Sequence, residues 1–219
     1  MAPVQLAYWD IRGLAQPIRL LLEYTGTEWE DKLYACGPAP DFDKSCWFPI
    51  KESLGLDFPN LPYLIDGDVK LSQTQAILRY IARKNGLLGA DDTEAMKADL
   101  VAAEWADFNA PFVGMCYSPD FAKLKPVYLS ESLPVKLKRF SAFLGEQPYF
   151  AGKNITFADF LMYEALDQHK LLDPTCLKPY KNLEDFVDRI ENLDRIKGFL
   201  KSSRVIKYPL NNKMASFGG

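Results

Sequence analysis

The chain has 219 residues, with 26 Lys and Arg against 29 Asp and Glu for a formal charge of −3. Hydrophobic residues make up 48% and charged residues 25%, a balance that excludes disorder and leaves no concentrated basic surface for nucleic acid. Such a chain can build one large domain or two small ones, and its apolar runs, four residues as in Phe160 to Tyr163, are too short to span a membrane.

The first eighty or so residues alternate in type. Pro3 to Trp9 predicts a strand. The polar loop Asp10 to Gln16 leads to Pro17, which suits the first turn of a helix, and Ile18, Leu21 and Leu22 recur at helical spacing before Gly26 stops it. Trp29 to Ala35 is a second strand candidate, so the order β-α-β predicts a parallel pair. A long loop from Cys36 to Asn60 carries four prolines and two glycines, and a loop of that length inside a compact domain is usually functional. Leu61 to Ile65 and Val69 to Leu71 flank a turn at Asp66-Gly67-Asp68, and Gln73 to Asn85 returns to helical period.

After Gly86-Leu87-Leu88-Gly89 no strand pattern recurs. Helices are predicted over Asp92 to Met115, Pro126 to Leu144 and Thr156 to Leu172, with a further stretch from Phe186 to Leu200 broken near Asn192. Thr156-Phe157-Ala158-Asp159 reads as a capping box. The tail from Tyr208 is irregular. The expected fold class is α/β plus all-α: a unit over 1–84, a linker over 85–91 and a larger helical-bundle domain over 92–219.

The chemistry is narrowed by what is scarce. A single histidine, His169, cannot build a two-histidine metal site, and no metal is expected. Cys36, Cys46, Cys116 and Cys176 form no CxxC pair and read as free thiols of a reducing cytoplasm. The start of the chain does not read as a signal peptide. Three features then converge. Tyr8 lies near the carboxyl end of the first strand, where open α/β sheets bind ligands. Leu61-Pro62 opens a strand with a candidate cis bond, which would turn the Leu61 N–H and C=O toward an extended peptide. Gln73-Thr74 opens a helix, whose N-terminus favours an anion.

With these residues in place the sequence resembles a known family. Residues 4–84 are similar to the thioredoxin-like domain of cytosolic glutathione transferases, and the remainder to their helical domain. Tyr8-Trp9-Asp10-Ile11-Arg12-Gly13-Leu14, Leu56 to Tyr63, Gln73 to Tyr80 and Cys116 to Pro126 resemble the mu class.

The resemblance implies that the Tyr8 hydroxyl hydrogen-bonds the sulfur of glutathione and favours its thiolate. It implies that Leu61, with Pro62 cis, pairs with the cysteinyl part, and that Gln73 and Thr74 hold the γ-glutamyl end. Trp47, Lys51 and Lys44 would meet the glycyl end, with Trp9, Leu14 and Asn60 as further contacts. Asp107 would reach the ligand of a neighbouring subunit, and Phe58 would insert between helices of the partner in a homodimer. The electrophile would lie over Trp9 and Leu14, near Asn109, with Tyr117 assisting where negative charge develops. The departures are Thr74 where serine is commoner, Lys44 where arginine is commoner, Asn109 and Ala110 in the electrophile pocket, and Asn211 and Asn212 in place of bulkier tail residues.

The implied activity is conjugation of glutathione, as co-substrate, to small hydrophobic electrophiles in detoxification. Two alternatives stay open: a non-catalytic carrier of hydrophobic ligands, and a glutathione-dependent isomerase or peroxidase on the same site.

Overall fold

A computed structural model describes residues 2–219. Its first half holds β1 (Val4–Trp9), α1 (Gln16–Thr25), β2 (Trp29–Tyr34), β3 (Tyr63–Asp66), β4 (Val69–Ser72) and α2 (Thr74–Lys84). The sheet order is β2-β1-β3-β4, with β1 parallel to β2 and the other pairs antiparallel. The parallel pair requires the crossover helix α1, which ends as expected at Gly26, left-handed at φ 67°. The β3–β4 hairpin turns at Gly67, with φ 60°.

The second half is helical: α3 (Asp92–Tyr117), α4 (Phe121–Val127), α5 (Leu133–Leu144), α6 (Phe157–Leu172), α7 (Lys181–Glu191) and α8 (Asp194–Lys201). The helix expected from Pro126 starts five residues earlier, at Phe121, and passes through a widened turn over Tyr128–Ser132. There the Leu133 N–H donates to Tyr128 O, a π register placed beside Pro134, which has no N–H to donate. The stretch expected from Phe186 starts instead at Lys181, because Leu183 is already a core anchor inside a polar run.

α6 is the axis of the molecule and is buried along almost all its length. At its start the Asp159 carboxylate accepts from the Thr156 N–H at 2.7 Å, the Thr156 hydroxyl at 3.1 Å and the Phe150 N–H at 2.8 Å. Burial outweighs these three donors and pushes the Asp159 carboxyl up to about 6. Among the described residues no helix is long and apolar enough to cross a membrane.

Candidate active site

β1 delivers Tyr8 to its carboxyl end, where the side chain is 7% exposed. The chain then turns back through Gly13, at φ 41°, and the Leu14 N–H donates to the Tyr8 oxygen at 3.2 Å. A Cβ on Gly13 would sit 2.6 Å from Tyr8 Cε1 and 2.8 Å from its hydroxyl, so this close approach admits only glycine. Burial pushes the Tyr8 phenol up to about 12, against the lowering effect of the Leu14 N–H. The phenol therefore keeps its proton at neutral pH. With one lone pair taken by Leu14, the proton is left for another acceptor.

The Leu14 backbone ties two candidate groups together. Its N–H holds Tyr8, and its C=O accepts from the Thr74 hydroxyl at 3.3 Å. Thr74 is buried at the first turn of α2, and Gln73 before it stands at φ 73°, ψ 116°, a conformation that costs a non-glycine residue about 1–3 kcal/mol. The Leu61–Pro62 bond is cis. The Leu61 N–H is not free, however: it donates to the Asn60 side chain at 2.9 Å, so an extended ligand would displace Asn60 there.

In the long loop Trp47 is buried, stacked on Tyr63 at 6.0 Å and edge-on to Tyr34 at 5.4 Å. The Trp47 N–H donates to Lys44 O and the Lys51 N–H to Trp47 O, which sets these three residues on successive turns. Trp9 is half-buried, its ring 6.5 Å from Tyr34. From the helical half, Tyr117 at the end of α3 lies close enough to Tyr8 that a charge on it would push Tyr8 further up. The Tyr117 oxygen accepts from the Asn212 N–H at 2.8 Å.

A family model for the glutathione S-transferase N-terminal domain matches residues 4–83, and one for the C-terminal domain matches residues 106–203. Glutathione S-transferase Mu 2 of Mus musculus is 53% identical over 213 residues, 97% of each chain. The chain belongs to the glutathione S-transferase family. Human glutathione S-transferase Mu 3 is 52% identical over 97% of this chain and 94% of its own. Among solved structures, the Onchocerca volvulus pi-class transferase superposes with a TM-score of 0.85 at 31% identity, covering 98% of this chain and 100% of its own. The mu-class resemblance over nearly the full chain and the expected fold class are borne out.

Three features of this transferase escape a reading of the sequence. Arg12 is buried and donates through Nε and Nη2 to Glu164 at 3.0 and 2.6 Å, and through Nη2 to Asp167 at 2.6 Å, fastening the Tyr8–Leu14 loop to α6. The tail is not loose. The Arg12 and Gly13 N–H groups donate to Pro209 O and Leu210 O, and the Ser216 N–H to Cys116 O, so the tail is fastened to the loop after β1 and to the end of α3. His169 is wholly buried, with Nδ1 2.6 Å from Ala165 O, Nε2 2.7 Å from the Tyr128 hydroxyl and its ring against Phe108 and Phe112. Burial holds it down at about 4, so it is neutral and takes no part in the site. Asn109 is half-buried on α3, while Asp107 is exposed beside Pro111 and Lys136. The residues described contain no cluster of three or more His, Cys, Asp or Glu placed to hold a metal.

Proposed function

We propose that this glutathione transferase activates the thiol of glutathione with the Tyr8 hydroxyl and delivers the sulfur to a hydrophobic electrophile. The observation that carries the reading is the Tyr8 oxygen, buried and already accepting from Leu14 with its proton to spare. Directed at sulfur, that O–H stabilises thiolate over thiol without itself giving up the proton. The Leu14 N–H polarises the phenol and makes it the stronger donor. The thiolate then attacks carbon, the C–S bond forms, and the leaving group departs with its electron pair or the electrophile's oxygen takes a proton.

The same geometry supports the binding assignments. The strained backbone of Gln73 and the buried Thr74 hydroxyl support a γ-glutamyl site at the start of α2, where the helix dipole favours a carboxylate. Lys44 and Lys51, flanking Trp47, offer two ammonium groups for the glycyl carboxylate. Leu61 takes the cysteinyl backbone once Asn60 has moved. Trp9, Leu14, Asn109 and Tyr117 surround the electrophile, with Tyr117 donating to oxygen as charge grows there.

A homodimer is proposed on Phe58, which is 76% exposed near the end of the long loop. A hollow of about 240 Å³ between α3 and α5, lined by Leu100, Val101, Phe140 and Phe143, suits such a ring. On this reading Asp107 serves the partner's ligand. The four unpaired cysteines favour a reducing compartment, the cytosol.

Retention on immobilised glutathione together with turnover of a chlorodinitrobenzene tests the reading. Tyr8→Phe is expected to be retained but to turn over at least about tenfold more slowly. Equal rates in the two proteins would remove Tyr8 from the chemistry, and retention without turnover by the unaltered chain would favour a carrier.

A further inference from the structure

The tail is tied down on both sides of a turn. On one side Pro209 and Leu210 accept from Arg12 and Gly13 at 2.9 and 3.0 Å; on the other, Ser216 donates to Cys116 O at 2.8 Å. Between them Asn212 to Ala215 form a turn closed by the Ala215 N–H on Asn212 O at 2.8 Å. The turn also reaches the long loop after β2, where the Lys213 ammonium donates to Cys36 O at 2.9 Å across 177 positions of sequence. Only Lys213 of the turn is exposed, and its ammonium-to-carbonyl bond, stronger than one between neutral groups, adds to the bonds that Asn211 makes to Gly218 and Phe217 beside it.

The residue beside Lys213 is Asn212, whose N–H donates to the Tyr117 oxygen at 2.8 Å. A phenol has one proton and two lone pairs, and a donor fixed on the lone-pair side directs the proton away from itself. If the turn lifts, that donor leaves and the Tyr117 proton is free to rotate toward the vacated position and solvent. We propose that Lys213 is a positioning residue for the electrophile half of the cleft: by clamping the tail to Cys36 it keeps Asn212 on the Tyr117 oxygen, so that Tyr117 presents its proton to the electrophile. The proposal rests on the donor role given to Tyr117 above. Its effect is therefore largest for an epoxide. There the C–S bond forms as a C–O bond breaks, the departing oxygen takes the Tyr117 proton, and water returns a proton to the phenolate.

The test uses the full chain and styrene oxide, with amide hydrogen exchange at Asn212 as a direct reading of the clamp. Lys213→Met keeps the length of the side chain and removes the donor. It is expected to speed exchange at Asn212 and to lower kcat/KM for styrene oxide about fivefold, with KM for glutathione unchanged. Lys213→Arg should recover all but about twofold of the loss. In a Tyr117→Phe background the Lys213→Met change should cost almost nothing further. Unchanged exchange at Asn212 would overturn the clamp. Faster exchange with an unaltered epoxide rate, or an equal loss in the Tyr117→Phe background, would overturn the positioning role. A Tyr117→Phe protein as fast as the unaltered one on styrene oxide would remove the donor role of Tyr117, and the proposal with it, while exchange still reported the clamp.

Discussion

Replacing Arg12 by methionine removes the guanidinium that is ion-paired with both Glu164 and Asp167. The three side chains are 8%, 3% and 22% exposed, so Asp167 regains part of its hydration while Glu164 stays buried with Gln168 as its remaining donor, at 2.7 Å. Breaking a buried pair from one side costs about 3–5 kcal/mol, and the partial exposure of Asp167 places this case at the lower end. For a chain of this size each kcal/mol moves Tm by about 2–4 °C, so Arg12→Met should melt roughly 6–15 °C lower. Thermal and urea unfolding at pH 7 measure it. A double variant, Arg12→Met with Glu164→Gln, should regain much of the loss, because no buried charge is left unpaired. A single variant melting within about 2 °C of the unaltered protein would refute the reasoning.

Other expectations follow from single contacts. Gly13→Ala drives a methyl into the Tyr8 ring and should cut kcat/KM for a chlorodinitrobenzene by about tenfold or more, as loss of an oriented donor does, with glutathione still retained. Between pH 4 and 6.5 two buried groups act in opposite directions. His169, held at about 4 against an ordinary 6.5, contributes stability that is present above pH 6.5 and lost as pH falls toward 4. Asp159, raised from 3.8 to about 6, favours the fold at low pH and loses that contribution as pH rises through 6. Each amounts to about 3 kcal/mol, so the two nearly cancel, and Asp159→Asn should expose a fall of that size on acidification. A flat urea-unfolding profile over this range in the variant would contradict it. Phe58→Ser should weaken the dimer at least about 100-fold, since two rings per dimer lose about 1.5–3 kcal/mol each, as read by analytical ultracentrifugation.

The elements that position the site were legible because each carries a local signal. β1 is a short β-prone run, α2 carries apolar residues at helical spacing, and Pro17 and Gly26 mark the two ends of α1. Tyr8, Leu61-Pro62 and Gln73-Thr74 could be ordered along the chain because fold topology alone brings strand and helix ends together. What stayed hidden is tertiary. Arg12 meets Glu164 across 152 residues and Tyr117 meets Asn212 across 95, and no local pattern joins either pair. One signal was available for the first: Glu164 is a carboxylate amid Leu161, Met162, Tyr163, Ala165 and Leu166, a position that calls for a buried cation. The start at Phe121 is hidden because Pro126 imitates a first-turn proline, while the helix accommodates it in its interior. The single histidine, read only as an exclusion, turns out to be a neutral part of the core.

On the proposed mechanism the Tyr8 proton holds the sulfur of bound glutathione as thiolate. Ultraviolet titration of that thiolate in the complex measures it directly. The bound thiol is expected to titrate below about 7, against about 8.5 for an ordinary cysteine thiol, and to return to above about 8 in Tyr8→Phe. A bound thiol that titrates at the same pH in both proteins would contradict it.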